Sequence, residues 1–204
     1  MPKPKGIEHP KQLFVEGRDA EAFFYPFLEN MQVSGIQIQN YGGITELGPF
    51  LKQFVLGPQY KQLPVSSIGI IRDAEQNPRD AFKSVCSALE KAGLSIPRAP
   101  LVPTKKRPKV CVYILPDEKS SGMIETLLLR AVSGDPAFGC IDEYLECVAQ
   151  ATGVEPKPRD KARFLTFLAS RPDIKPLTGF AARAGYLEFS NSAYNHLKKF
   201  ILSL

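Results

Sequence analysis

The sequence predicts an α/β protein: a mostly parallel sheet flanked by helices, continued by a purely helical extension. Three observations predict it. Residues 13–15, 68–71 and 110–115 are short runs apolar on both faces, as strands buried in a parallel sheet are. Stretches with apolar residues at helical spacing separate them, which is the βαβ pattern. After Gly134 only the helical spacing remains.

Residues 1–10, charged and proline-containing, read as a flexible basic lead-in. Residues 11–15 form the first strand, which runs into Glu16-Gly17. Asp19 caps the next helix, with Ala20, Phe23, Phe24, Phe27, Leu28 and Met31 turned inward. Pro26 should kink that helix, because proline removes a backbone hydrogen bond. Gly35 ends it, and residues 36–39 alternate as a second strand. Tyr41-Gly42-Gly43 reads as a tight turn whose glycines admit positive φ or a close approach of backbone to a ligand. Leu47, Leu51, Phe54 and Val55 mark the following helix, closed by Gly57 and Pro58.

Residues 65–71 are the third strand, ending in Arg72-Asp73-Ala74-Glu75. Asn77 as cap, Pro78 at the first helical position and Gly93 as stop frame a helix that buries Phe82, Val85, Cys86 and Leu89. Residues 94–109 are a proline-rich loop carrying Lys105, Lys106, Arg107 and Lys109. The fourth strand, 110–115, leads into Pro116-Asp117-Glu118. Ser120 or Ser121 then caps a helix with Ile124, Leu127, Leu128 and Ala131 inward. The α/β part thus spans 11–135. Residues 141–152, 159–170, 177–184 and 192–204 show helical spacing, separated by Gly153, Pro172 and Gly185. The resulting tail, 136–204, either covers one face of the sheet or stands beside it as a small subdomain.

Composition narrows the function classes. The net charge of +5 favours polyanionic partners weakly and without specificity. Cys86, Cys111, Cys140 and Cys147 form no Cys-x-x-Cys pair and no Cys/His cluster, which argues against structural zinc. Free thiols of this kind suit a reducing cytoplasm. The N-terminal stretch lacks the apolar core of a signal peptide, and no run approaches the roughly 18 apolar residues of a membrane span. His9 and His196 are isolated and complete no triad.

Chemistry concentrates at the strand ends. Glu16 and Asp19 follow the first strand, Asp73 and Glu75 the third, Asp117 and Glu118 the fourth, and Glu125 lies about one turn into a helix. In an open parallel sheet the C-terminal strand ends share one side, where the crevice lies. Carboxylates gathered there raise one another's pKa. A hard cation removes that cost, and Mg²⁺ binds through one or two carboxylates plus substrate phosphates. Candidate metal ligands are therefore Glu16, Asp19, Asp73, Glu75, Glu125 and Asp117, with Mg²⁺ or Mn²⁺ as the ion. The first strand is not followed by Gly-x-Gly-x-x-Gly, which argues against dinucleotide binding, and Gly-x-x-x-x-Gly-Lys-Ser/Thr is absent.

Val15-Glu16-Gly17 after one strand and Asp73-Ala74-Glu75 after a later one resemble the Toprim domain of primases, topoisomerases, small ribonucleases and OLD-family nucleases. Residues 13–24, the Gly42-Gly43 turn and residues 115–129 are most similar to stand-alone Toprim-like proteins related to the OLD nucleases. The resemblance covers residues 13 to about 130. It implies a Toprim-like, Rossmann-like fold and metal-dependent phosphodiester chemistry on nucleic acid. Glu16 would be general acid/base or metal ligand, Asp73 and Glu75 would hold Mg²⁺, and Asp19 and Glu125 would help a second ion. On that resemblance Glu16 and Lys161 would be the catalytic groups, and Gly17, Arg18, Gly42, Gly43, Lys105 and Lys106 the substrate contacts. Arg72 would be a further cation for the transition state. Glu75 stands where the usual motif has a second aspartate, so its longer arm shifts the ion. Ala20 stands where some relatives carry an acid. The alternative the sequence leaves open is a binding module without turnover, holding metal, nucleotide or nucleic acid for a protein partner.

Overall fold

The computed structural model describes residues 2–175 and 177–204. Four strands form one sheet: β1 (Lys11–Glu16), β2 (Ile36–Gly42), β3 (Ser67–Asp73) and β4 (Lys109–Leu115). Their order is β2-β1-β3-β4 and every pairing is parallel. β1 and β3 are central, and their side chains alternate between two buried faces. Leu13 and Val15 point into one core and Phe14 into the other.

The helices distribute over both faces. α2 (Leu47–Leu56) and α4 (Pro78–Lys91) cover the face of Phe14, Ile68, Ile70 and Val112. α3 (Pro58–Gln62) is a short connector. α1 (Gly17–Asn30) and α5 (Ile124–Ala131) cover the other face. The tail contributes α6 (Ala137–Thr152), α7 (Arg159–Ala169), α8 (Thr178–Arg183), a 3₁₀ turn at Ser192–Tyr194 and α9 (Asn195–Leu202). It packs onto the same face as α1 and α5. Phe164, Phe167, Phe189, Tyr194, Phe200 and Leu204 share one buried core with Leu13, Phe23 and Tyr113.

Gly69 explains how the tail reaches the sheet. It sits mid-way along central β3, where an added Cβ would lie 2.8 Å from Leu204 and 3.0 Å from Phe200. The missing side chain is the space that the C-terminal residues fill. Ser67 Oγ donates to the Leu204 carbonyl at 3.0 Å and Lys109 Nζ to that of Ser203, which fixes the same end.

Several local readings change. α1 starts at Gly17 with Glu16 at the cap position, so Asp19 lies in the first turn and is not the cap. An acid there still meets the positive end of the helix dipole. The helix continues through Pro26 to Asn30. Tyr41 and Gly42 belong to β2 and not to a turn. α5 is capped at Met123, whose N–H donates to Thr126 Oγ1, and neither Ser120 nor Ser121 does this work. Asn77 caps α4 as expected, accepting from Arg79 and Asp80.

The lead-in is tied down, contrary to expectation. Gln37 and Gln39 are buried on edge strand β2, and buried amides need partners. Gln39 Oε1 accepts from Lys5 N–H and Gln37 Oε1 from Glu8 N–H, each at 2.8 Å. Gln59 Oε1 accepts from Ile7 N–H at 2.7 Å. Residues 5–8 thus form a strap over the sheet edge.

Gly69→Val should lower stability by about 1–3 kcal/mol, the usual cost of overpacking a filled core. Chemical denaturation would measure it. Leu204→Ala in the same background should recover part of the loss by clearing the clash.

Candidate active site

β1 and β3 are neighbours whose onward connections leave to opposite sides, β1 toward β2 and β3 toward β4. Such a switch point opens a crevice at the C-terminal strand ends. Glu16 is the last residue of β1 and Asp73 the last of β3. Glu75 follows in left-handed backbone (φ 53°), paired with Gly122 through an isolated bridge. Glu125 is the second residue of α5, and Asp19 lies one turn into α1. All five carboxylates line a single cleft of about 470 Å³ together with Gly17, Arg18, Gly42, Gly43 and Lys161.

Glu16 is held on three sides. Its Oε2 accepts from Asp73 N–H at 3.2 Å and from the Tyr41 hydroxyl at 3.3 Å, and Arg72 Nε lies 3.2 Å away. Tyr41 reaches it because β2 is bulged: Val15 pairs with Asn40 but Glu16 with Gly42, so Tyr41 is the extra residue. Bulges re-aim side chains in this way beside functional sites. The single Tyr41 hydroxyl proton is shared with the Ile71 carbonyl, the nearer acceptor at 2.9 Å. Arg72 is almost wholly buried. Its Nε donates to the Asp73 carbonyl and its Nη1 to the Ile44 carbonyl, each at 3.3 Å.

The carboxylates disturb one another. Burial pushes the Glu16 carboxyl up, against the pull of Arg72, the Asp73 N–H and Tyr41. Asp73 stands well above the ordinary aspartate range. Burial is the largest cause, and the charges of Glu16, Glu125 and Glu75 add to it. The Ile124 N–H, 3.0 Å from Asp73 Oδ1 at the start of α5, opposes the rise.

Lys161, on α7, is the cation that crosses the cleft. Its Nζ lies 3.2 Å from Asp19 Oδ2 and 3.4 Å from Glu125 Oε1. Burial works against its charge, but Glu125 and Asp19 outweigh burial and raise its pKa. The tail therefore delivers a cation to the sheet crevice.

Other expected residues fall elsewhere or have local tasks. Asp117 does not line the cleft. Its Oδ1 accepts from Lys119 and Ser120 N–H, and its Oδ2 is bound by Arg130 at 2.6 Å. Burial would raise its pKa, yet these donors hold it well below the usual range. Lys105 and Lys106 precede β4 and sit near its N-terminal end, away from the acids. Gly42 has φ 91°, and a Cβ there would collide with the Glu46 carboxylate. That carboxylate accepts from Gly43 N–H at 3.1 Å, so Gly42 at the end of β2 and Gly43 just beyond it have a local backbone task as well as lining the cleft.

The donor set is carboxylate oxygen throughout, and mutual repulsion among its members suits a hard cation. As placed, no three His, Cys, Asp or Glu side chains among the described residues stand together as an ion-binding group. Arg72 and Lys161 supply the positive charge facing the acids.

A family model described as "Protein of unknown function (DUF3226)" matches residues 10–204. The chain belongs to the DUF3226 family. No curated protein matches it. Among solved structures, this DUF3226 chain is similar to the C-terminal region of an OLD protein from Xanthomonas campestris pv. campestris. The mercury-phased structure is 14% identical, with a TM-score of 0.42 over 97% of this chain and 98% of that one. The iodine-phased structure is also 14% identical, with a TM-score of 0.48 over 95% of each chain.

Two outcomes test this geometry. Arg72→Leu should cost about 3 kcal/mol, because it strands the buried Glu16 carboxylate. Adding Glu16→Gln should restore most of that loss in a double-mutant cycle. The second concerns pH. A carboxyl raised in the folded state binds its proton more tightly there than in the unfolded chain. Its contribution is therefore fully present below the unfolded pKa, about 3.9 for Asp, and is lost as pH rises through the folded value. Asp73→Asn keeps the acceptor for Ile124 and removes the charge. In chelator-treated protein it should raise Tm at pH 8, with the gain shrinking as pH falls toward 4.

Proposed function

We propose that this protein performs Mg²⁺- or Mn²⁺-dependent phosphodiester chemistry on nucleic acid from a Toprim-like site. The observation that carries the reading is the convergence of Glu16, Asp73, Glu75, Asp19 and Glu125, from two strand ends and two helix starts, on one cleft. The elevated Asp73 carboxyl supports it, since the same repulsion creates a demand for positive charge. The resemblance of Val15-Glu16-Gly17 and Asp73-Ala74-Glu75 to Toprim motifs points the same way.

In this reading Asp73 and Glu75 hold the ion, with Glu16 beside them, and Asp19 and Glu125 extend the set. The ion, when bound, supplies Lewis acidity and an activated water. Glu16 manages a proton at Oε1, since Asp73 N–H, Tyr41 and Arg72 all engage Oε2, and burial raises its pKa above the ordinary glutamate value. Tyr41 and Arg72 keep that carboxylate in one orientation. Lys161 and Arg18 face the cleft and offset charge on a phosphoryl group. The Gly42-Gly43 backbone lets a substrate approach the mouth closely.

One observation favours a second reading, a metal- or nucleic-acid-binding module without turnover that acts with a protein partner. Lys161 is already engaged by Asp19 and Glu125, and Arg72 faces Glu16. Internal cations of this kind partly neutralise the set without any ion.

A Mn²⁺- and Mg²⁺-titrated cleavage assay on plasmid, single-stranded DNA and RNA separates the two. Turnover is expected; Glu16→Gln should lower it at least about 100-fold, the usual worth of a positioned acid or base, and Asp73→Asn should lower it and raise the metal concentration that half-saturates the rate. Product formation by Glu16→Gln at the wild-type rate would sink the enzymatic reading. Calorimetric metal binding without any product would establish the second.

A further inference from the structure

A second feature lies away from the acids. The segment between α4 and β4 contains Arg98, Lys105, Lys106 and Arg107, and residues 92–108 include no aspartate or glutamate. Arg98, Lys105 and Lys106 line a cleft of about 530 Å³ whose walls are Ile96, Pro97, Val102 and Pro103. The three cations are exposed. None of them makes an ion pair among the described residues. Ser95 and Thr104 add hydroxyls at the same place.

This cleft is built and not a loose basic tail. Leu101 N–H donates to the Val112 carbonyl and Thr104 N–H to the Val110 carbonyl, each at 2.9 Å. Val110 N–H donates back to Thr104 Oγ1 at 2.9 Å. The loop is therefore laced along the free edge of β4, and Pro97, Pro100 and Pro103 stiffen it further. Its volume falls within the 300–1,000 Å³ typical of ligand pockets. Apolar residues beside exposed cations and hydroxyls, with no acid among them, suit one nucleotide: base and sugar against the apolar lining, phosphate against the cations.

We infer that this cleft is a second nucleic-acid contact, an exosite that grips the phosphate backbone of a single strand far from the acidic cleft. β4 separates the two, and its seven residues span on the order of 20 Å. Held phosphates at the basic pole are too distant to react and serve to retain the strand. The choice of nucleic acid as ligand rests on the function proposed above, while the anion preference rests on the cleft alone.

Fluorescence anisotropy with labelled dT20 in EDTA tests the exosite without any turnover. Wild type should bind, with affinity falling as salt rises. Lys105→Glu/Lys106→Glu should weaken binding at least tenfold. It should also flatten the log–log salt slope by about 1.4, since each lost phosphate contact on a single strand removes about 0.7. Arg98→Ala should weaken binding further in that background. Unchanged melting by circular dichroism would show that these exposed substitutions leave the fold intact. Lys61→Glu, a charge reversal at an exposed lysine outside both clefts, should bind dT20 nearly as wild type does, and because the assay runs in EDTA, failure of the metal-dependent acidic site would leave it unchanged. Absence of dT20 binding by wild type, equal affinity and slope in the Lys variant, or binding to anionic phospholipid vesicles alone would each overturn the exosite.

Discussion

The buried Arg72–Glu16 pair is the constraint on which the rest of the crevice depends. Glu16 ends β1 and Arg72 precedes the last residue of β3, so the pair bridges the two central strands at the switch point. Arg72 also reaches the Ile44 carbonyl beyond β2. One guanidinium thereby ties three connections together. Such a pair contributes little net stability against an apolar replacement, but it is costly to break on one side. Its value lies in orientation: it holds a carboxylate at the mouth of a sheet where burial alone would drive that group to neutrality.

That arrangement explains why the tail matters. A four-stranded sheet with two helices per face would leave the acids open on the α1 and α5 side. α7 closes that side and supplies Lys161 between Asp19 and Glu125. The space for the tail is set inside β3, where Gly69 admits Leu204 and Phe200. The strand that carries Asp73 therefore also docks the tail. Substitutions in the last turn of the chain act on the same strand that positions the carboxylates.

Much of this was legible because it follows from one rule. Parallel strands send their C-terminal ends to one side, so acids at 16, 73 and 75 were expected together, and they line one cleft. The expected helical spacing over 159–170 also put Lys161 on a helix, α7. What was not legible depends on single-residue irregularities. The bulge that turns Tyr41 toward Glu16 shifts the strand register by one residue, and no hydrophobic pattern marks it. Asp117 reads like its neighbours in sequence, but its fate is set by Arg130, thirteen residues on, whose reach depends on where α5 lies. The lead-in looked flexible because its composition is polar. The glutamines that strap it lie on β2 and α3, and only tertiary contact reveals them.

The same rule separates the two poles of charge. A loop that leads into a parallel strand must sit at the strand's N-terminal end, so Lys105 and Lys106 lie at the opposite end from Glu16 and Asp73. An excess of positive charge spread evenly would neutralise the acidic crevice through space. Placing it on the order of 20 Å away, beyond a Debye length of about 8 Å at physiological salt, leaves each pole with its own field. The acids then keep their mutual repulsion, and the basic cleft keeps its positive charge, unpaired among the described residues. A chain of net charge +5 can thus hold a pocket lined by five carboxylates at one end of its sheet and a basic cleft free of acids at the other.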